Sequence, residues 1–139
     1  MQAATYPTLS TPSRSSAARW AGRTLSGIPA LFLAMDVGIK FANIPAVAEQ
    51  SVRLGMDPGL AAPLGVILGA CLTLYLVPRT AVLGAVLLTG YLGGAVAIHL
   101  RVSDPLLSHT LFPVFVGIFL WAGLYLRDER VRAAIGPKR

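Results

Sequence analysis

Cysteine is nearly absent from this 139-residue chain, with Cys71 the only one. No intrachain disulfide, CxxC pair or cysteine-based metal site can form, and a lone Cys inside an apolar run reads as a small packing residue. Charge is scarce too: 13% of residues are charged, against roughly 25% in an ordinary soluble domain. Acids are the scarcer sign, six Asp and Glu against twelve Lys and Arg. No Gly-rich phosphate loop with Lys-Ser/Thr, no HExxH and no GxSxG occurs, which excludes those nucleotide, zinc-protease and serine-hydrolase signatures. The net charge of +6 does not imply a nucleic-acid partner. The basic residues sit at the ends of apolar runs rather than in a stripe with interleaved aromatics.

What the chain has instead is apolar length. From Gly59 to Ile98 it is almost unbroken, GLAAPLGVILGACLTLYLV then TAVLGAVLLTGYLGGAVAI, divided by Pro78-Arg79. Each half can cross a hydrocarbon core of ~30 Å at ~1.5 Å per residue. Pro78 lacks an amide donor and Arg79 needs water or headgroups, so the turn belongs at an interface. A further run spans about 24–43 and another about 106–126, with Pro113 near the start of the last, where a missing donor costs least. The expected fold class is therefore all-α, a membrane four-helix bundle with spans at about 24–43, 59–77, 80–98 and 106–126. The bundle domain covers 19–128, between a flexible Ser/Thr/Ala/Pro-rich tail, 1–18, and a basic tail, 129–139. The partner the whole surface calls for is a lipid bilayer.

Positive charge orients it. With both termini cytoplasmic, that side holds Arg14, Arg19, Arg23, Arg79, Arg127, Arg130, Arg132, Lys138 and Arg139, while the outer loops hold Arg53 and Arg101. That asymmetry favours N-in and C-in. Trp20 beside Arg19 and Arg23 reads as an interfacial anchor. Ala46-Val47-Ala48 resembles a signal-peptide cleavage site, but Asp36 and Lys40 interrupt the stretch before it, so the first helix is read as retained. Between the first two spans, AVAEQSVRLGM predicts a short amphipathic helix ended by Gly55 and lying at the outer face.

Lipid supplies no hydrophobic drive for helix association, so small residues must permit close approach. Gly65-x-x-x-Gly69 and Gly90-x-x-x-Gly94, the latter flattened further by Gly93, are the expected packing faces, within the bundle or in self-association. Ser26 and Thr89 read as hydroxyls bonding back to the preceding turn.

Asp36 and Lys40 are the chemically pointed pair. Spaced i and i+4, they share a face, with Asn43 one turn beyond. Each ion at mid-helix costs roughly 2.5–3.5 kcal/mol to insert, so the pair should face the bundle interior or a wet cavity. Counting depth places Asp36 level with Gly65, Leu92 and Val114, and Lys40 level with Ala61, Val96 and Thr110. Tyr91 is then a hydroxyl partner for Asp36, and His99, Arg101 and His109 lie just above Lys40. The expectation is a polar cluster in the outer half, capped by the loop over 44–58. Three uses compete for it: an ion-pair network that sets helix register, a proton-linked or small-molecule site, and haem or metal held by His99 and His109. No catalytic or metal-binding spacing is present.

Arg19-Trp20 with Gly22-Arg23, the Asp36–Lys40 pair, Tyr75-Leu76-Val77-Pro78-Arg79-Thr80, Gly90-Tyr91-Leu92-Gly93-Gly94-Ala95 with His99 and Arg101, and Phe112-Pro113 followed by Trp121 and Leu124-Tyr125-Leu126-Arg127-Asp128 together resemble the DoxX-like family of small four-helix bacterial membrane proteins. The resemblance covers about 20–130. It implies a multi-pass protein of the bacterial inner membrane, non-catalytic, accessory to a redox or stress-response system and partnered by a subunit of a redox complex. The alternative is a small proton-coupled carrier or quinone-contacting oxidoreductase subunit using the outer-half cluster. The family pattern would put an acid near Leu68-Gly69; this chain has none there, which leaves Asp36 the sole acid within the spans.

Overall fold

A computed structural model describes residues 16–135. Six α-helices run in order: α1 Ser16–Ala42, α2 Pro45–Arg53, α3 Ala61–Leu76, α4 Ala81–Arg101, α5 Phe112–Arg127 and α6 Glu129–Ile135. A short 3-10 turn, Pro58–Leu60, leads into α3, and a π-helical turn, Leu106–Thr110, leads into α5. Four stretches are long and apolar enough to cross a membrane: Ser16–Ala42, Pro58–Leu76, Ala81–Arg101 and Leu106–Arg127. No strand occurs among the described residues.

Local chemistry sets the boundaries. Asn43 turns α1 off at φ 47, the left-handed conformation that Asn tolerates. Gly55 does the same after α2 at φ 66, so the short amphipathic helix stops where the glycine predicts. Asp57 Oδ1 accepts from the Gly59 amide at 2.7 Å and organises the turn into α3. At the other end of α3, Thr80 Oγ1 donates to the Leu74 carbonyl at 2.8 Å, closing the Pro78-Arg79 hairpin. Before α5, the Leu111 amide reaches back five residues to the Leu106 carbonyl at 2.8 Å. Pro113 has no amide hydrogen with which to continue a regular helix through this point, so the register changes just ahead of it.

The four spans form a closed ring in which α1 and α4 each lie between α3 and α5. The core they enclose contains Leu33, Leu68, Leu72, Tyr75, Leu88, Leu120 and Leu124. Ile28, Leu31, Ile67, Leu83, Ile118 and Phe119 point outward, as an apolar solvent requires. We call the two ends of the bundle the terminal end, where α1 starts and α5 finishes, and the loop end, where α2 lies.

Close approach is concentrated at the terminal end. A Cβ at Gly22 would lie 2.9 Å from Leu126 Cβ, and one at Gly123 would collide with Ser26. The Tyr75 side chain, fully buried, ties three helices there. Its hydroxyl lies 2.8 Å from the Leu120 carbonyl and 3.0 Å from Ser26 Oγ. A phenol has one hydrogen, and the carbonyl can only accept it, so Ser26 donates to Tyr75. The Arg127 guanidinium sits 4.8 Å from the Tyr75 ring centroid and donates to its carbonyl at 3.2 Å.

Several sequence expectations are corrected. Ser26 joins this interhelical network instead of bonding back along α1, because the close α1–α5 packing brings Tyr75 within reach. Thr89 does bond back, to the Ala85 carbonyl at 2.8 Å, and also accepts from Trp121 Nε1 at 2.9 Å. Gly90, Gly93 and Gly94 do not carry intrachain packing: a Cβ at any of them meets nothing within 4 Å. Their face of α4 is turned to cavities, while Gly84 of the same helix takes the close contact with α3. Gly65 and Gly69 do face α1, against Lys40 and Val37. His99 and Arg101 belong to α4 itself, whose C-terminal dipole favours them. The supposed C-terminal tail is helical over α6 and buries Val131. Helix α1 already includes Ser16–Ala18; the rest of the tail expected over 1–18, and residues 136–139, lie outside the described residues.

Candidate functional site

The Asp36–Lys40 pair forms as its spacing predicts. Lys40 Nζ lies 2.6 Å from both Asp36 carboxylate oxygens, with side chains 19% and 33% exposed for Lys40 and Asp36. Both line a cavity of about 440 Å³ inside the loop half of the bundle, and all four spans contribute to its wall. Lys40 sits one turn deeper against α3 than depth counting suggests: a Cβ on Gly65, not Ala61, would meet its Cβ at 3.2 Å. The reason is that α1 ends at Ala42 while α3 and its leading turn start at Pro58, further out.

The cavity is amphipathic. Asp36, Lys40, Tyr91, His99 and Gln50 supply its polar groups, and Leu33, Leu64, Leu92, Ile98 and Val116 its apolar ones. Phe32 and Phe112 meet edge to face in its wall, centroids 5.2 Å apart at 72°. Tyr91 and Asp36 share the cavity without a hydrogen bond between them. Leu54 and Met56, with Gln50 of α2, roof it.

That roof is fastened by contacts far apart in sequence. Arg53 NH1 and NH2 reach Asp104 Oδ1 and Oδ2 at 2.7 and 3.2 Å, and His99 Nδ1 lies 2.6 Å from Asp104 Oδ2. Arg101 donates to the Leu54 carbonyl at 2.6 Å. The Asp104 side chain is only 6% exposed. Hydrogen bonding to the Arg53 guanidinium, and then to the His99 ring, holds its carboxyl below the usual carboxylate range. Sequence reasoning left Asp104, Gln50, Phe32 and Phe112 out of the site. Ser103-Asp104-Pro105 reads as an ordinary turn, and only the packed fold brings Arg53 to it.

The remaining candidates lie apart from the cavity. Asn43 is an exposed helix-terminating residue, not a member of the Asp36–Lys40 face. Arg101 serves the roof. His109 is exposed on the π-turn, its Nδ1 2.8 Å from Ser108 Oγ. Its ring centroid lies 6.1 Å from that of His99 at 54°. Among the described residues no group of three His, Cys, Asp or Glu is placed to hold a metal ion.

A second, larger hollow of about 750 Å³ runs between α4 and α5, lined by Gly93, Val96, Gly117, Trp121, Tyr125 and others, and reaches Ile135 of α6. It is almost wholly apolar and holds no charged side chain, whereas the loop-end cavity carries the Asp36–Lys40 pair and His99.

The family model described as the DoxX-like family matches residues 24–123, the four spans almost entirely. No curated protein and no solved structure matches the chain.

Proposed function

We propose that this chain, which belongs to the DoxX-like family, is a non-catalytic component of a membrane redox or stress-response system. It resides in the bacterial cytoplasmic membrane with both termini inside, and uses its loop-end cavity to hold a small amphipathic ring of the quinone class. The observation that carries the second part is the cavity itself. Its volume of about 440 Å³ falls within the range of ~300–1,000 Å³ usual for small-molecule sites, and its few polar groups among apolar walls fit that pattern. The Lys40 ammonium and the Asp36 carboxylate in its wall cancel each other. A charged ligand would enter a low-dielectric space without a counter-ion, whereas an uncharged ring finds Phe32, Phe112 and Tyr91 for its faces.

The non-catalytic part rests on what surrounds the cavity. Cys71 is buried in the core and does not line it, and no serine or threonine does. Of its ionisable wall groups, Asp36 and Lys40 hold each other and His99 is held by Asp104, which supports a role in binding and orientation.

Gly90 supplies the test. It lines the cavity, and a Cβ there meets nothing within 4 Å, so Gly90→Leu starts a side chain into the space from an unobstructed Cβ. Equilibrium dialysis of purified protein in nanodiscs against a methylated benzoquinone should show retention by wild type and none by Gly90→Leu. Equal retention by the two proteins would dismiss the cavity as the site.

A further inference from the structure

We propose that Asp104 is a positioning residue for the cavity: by accepting a hydrogen bond from His99 Nδ1–H it leaves Nε2 a bare acceptor, so the site prefers a ligand that brings a hydroxyl. This rests on the reading that the cavity receives an uncharged ring, and adds which of its two forms, diol or dione, is favoured.

The argument is one of proton inventory. An ionised carboxylate can only accept, so in the 2.6 Å contact between His99 Nδ1 and Asp104 Oδ2 the hydrogen is on nitrogen. The carboxyl stays ionised because Arg53 grips it through both oxygens and lowers its pKa. In the neutral imidazole the second nitrogen then carries a lone pair and no hydrogen. His99 lines the cavity, and Nε2 is the nitrogen left for a ligand. A ligand hydroxyl can donate to it, whereas a carbonyl oxygen sets lone pair against lone pair.

The other polar groups do not cancel this bias. Lys40 gives two of its three ammonium hydrogens to Asp36, and the pair keeps one donor on Lys40 and free lone pairs on Asp36, so together they serve either form. Tyr91 and Gln50 can donate or accept, and so serve either form. His99 is the wall group whose state discriminates.

The clearest variant is Asp104→Asn. Arg53 has only donors, so it claims the amide oxygen and turns the NH₂ toward His99. Nδ1 must then accept, and the ring hydrogen moves to Nε2. The preference should therefore invert, which loss of structure alone would not produce. His99→Gln is the second variant, since its amide serves both forms and should erase the preference.

The experiment measures binding of a methylated benzoquinone, and of the benzenediol made from it by two-electron reduction, to full-length protein in nanodiscs under nitrogen. Wild type should bind the diol about tenfold more tightly than the dione, the factor that ~1.4 kcal/mol represents. Asp104→Asn should favour the dione, and His99→Gln should show no preference. Equal binding of both forms by wild type, or a diol preference that survives His99→Gln, overturns the assignment while leaving the cavity a binding site. Retention of neither form overturns both readings together.

Discussion

Gly84 of α4 rests directly on the backbone of Tyr75 in α3. A Cβ added to Gly84 would fall within 3.0 Å of the Tyr75 amide nitrogen and Cα, where no side chain can move aside. The α3–α4 hairpin is packed backbone to backbone at this level, and Tyr75 is thereby held where its hydroxyl reaches α1 and α5.

Gly84→Ala should therefore destabilise the bundle by ~1–3 kcal/mol, the usual cost of overpacking. Gly90→Ala is the matched control, because its Cβ enters open space and Ala is the better helix former by ~1 kcal/mol. Thermal unfolding in detergent should lower the midpoint for the first and leave the second at or above wild type. A Gly84→Ala protein as stable as wild type would mean that α3 and α4 are further apart than described.

Tyr75→Phe tests the network that this packing sets up. It leaves the Leu120 carbonyl and Ser26 without their shared partner in a fully buried site. Interhelical hydrogen bonds in membranes are worth ~0.6–2 kcal/mol, so a loss of that size is expected. Ser26→Ala should cost less, since the Tyr75 hydroxyl keeps its bond to the Leu120 carbonyl. The two effects should be less than additive in a double-mutant cycle; strict additivity would place them in separate networks.

For Asp36 and Lys40, removing one partner strands the other charge in the spans. Asp36→Asn and Lys40→Met should each reduce the amount of inserted protein, by the ~2.5–3.5 kcal/mol that an uncompensated mid-helix ion costs. The double variant should recover it, as replacing a whole ion pair is tolerated better than halving it. Immunoblots of membrane fractions read this directly. Normal abundance in both single variants would show that the cavity hydrates the lone ion well enough to dispense with pairing.

Acid should loosen the roof late. Asp104 has a folded pKa below the ordinary aspartate value of ~3.9, so its ionised form is the one the fold favours. The stabilisation it brings is complete above that value and is lost as pH falls through the lowered folded pKa. Amide hydrogen exchange in α2, corrected for intrinsic rates, should stay slow from neutrality down to about pH 4 and rise only below it. In Asp104→Asn the acid-dependent rise from this group should vanish and exchange should be faster throughout. Exchange that accelerates between pH 7 and 5 in wild type, unchanged by that substitution, would assign the roof to another group.

Composition alone settled the solvent. Runs such as those before and after Pro78-Arg79 can satisfy their backbone groups in lipid only as helices, so four spans and an all-α fold were legible without coordinates. Contacts within one turn of helix were legible for a similar reason. The i to i+4 spacing of Asp36 and Lys40 defines their pairing wherever α1 goes. What stayed hidden depends on how the helices are rotated and where distant segments land. A Gly-x-x-x-Gly pattern looks the same on a packed face as on one that lines a cavity, so Gly84 and Gly123 could not be ranked above Gly90 and Gly94. Arg53 and Asp104 are 51 residues apart, and no local periodicity links them. Tertiary packing decided that Asp104 would stand between the roof and His99, because only the antiparallel ring brings α2 over the connection between α4 and α5.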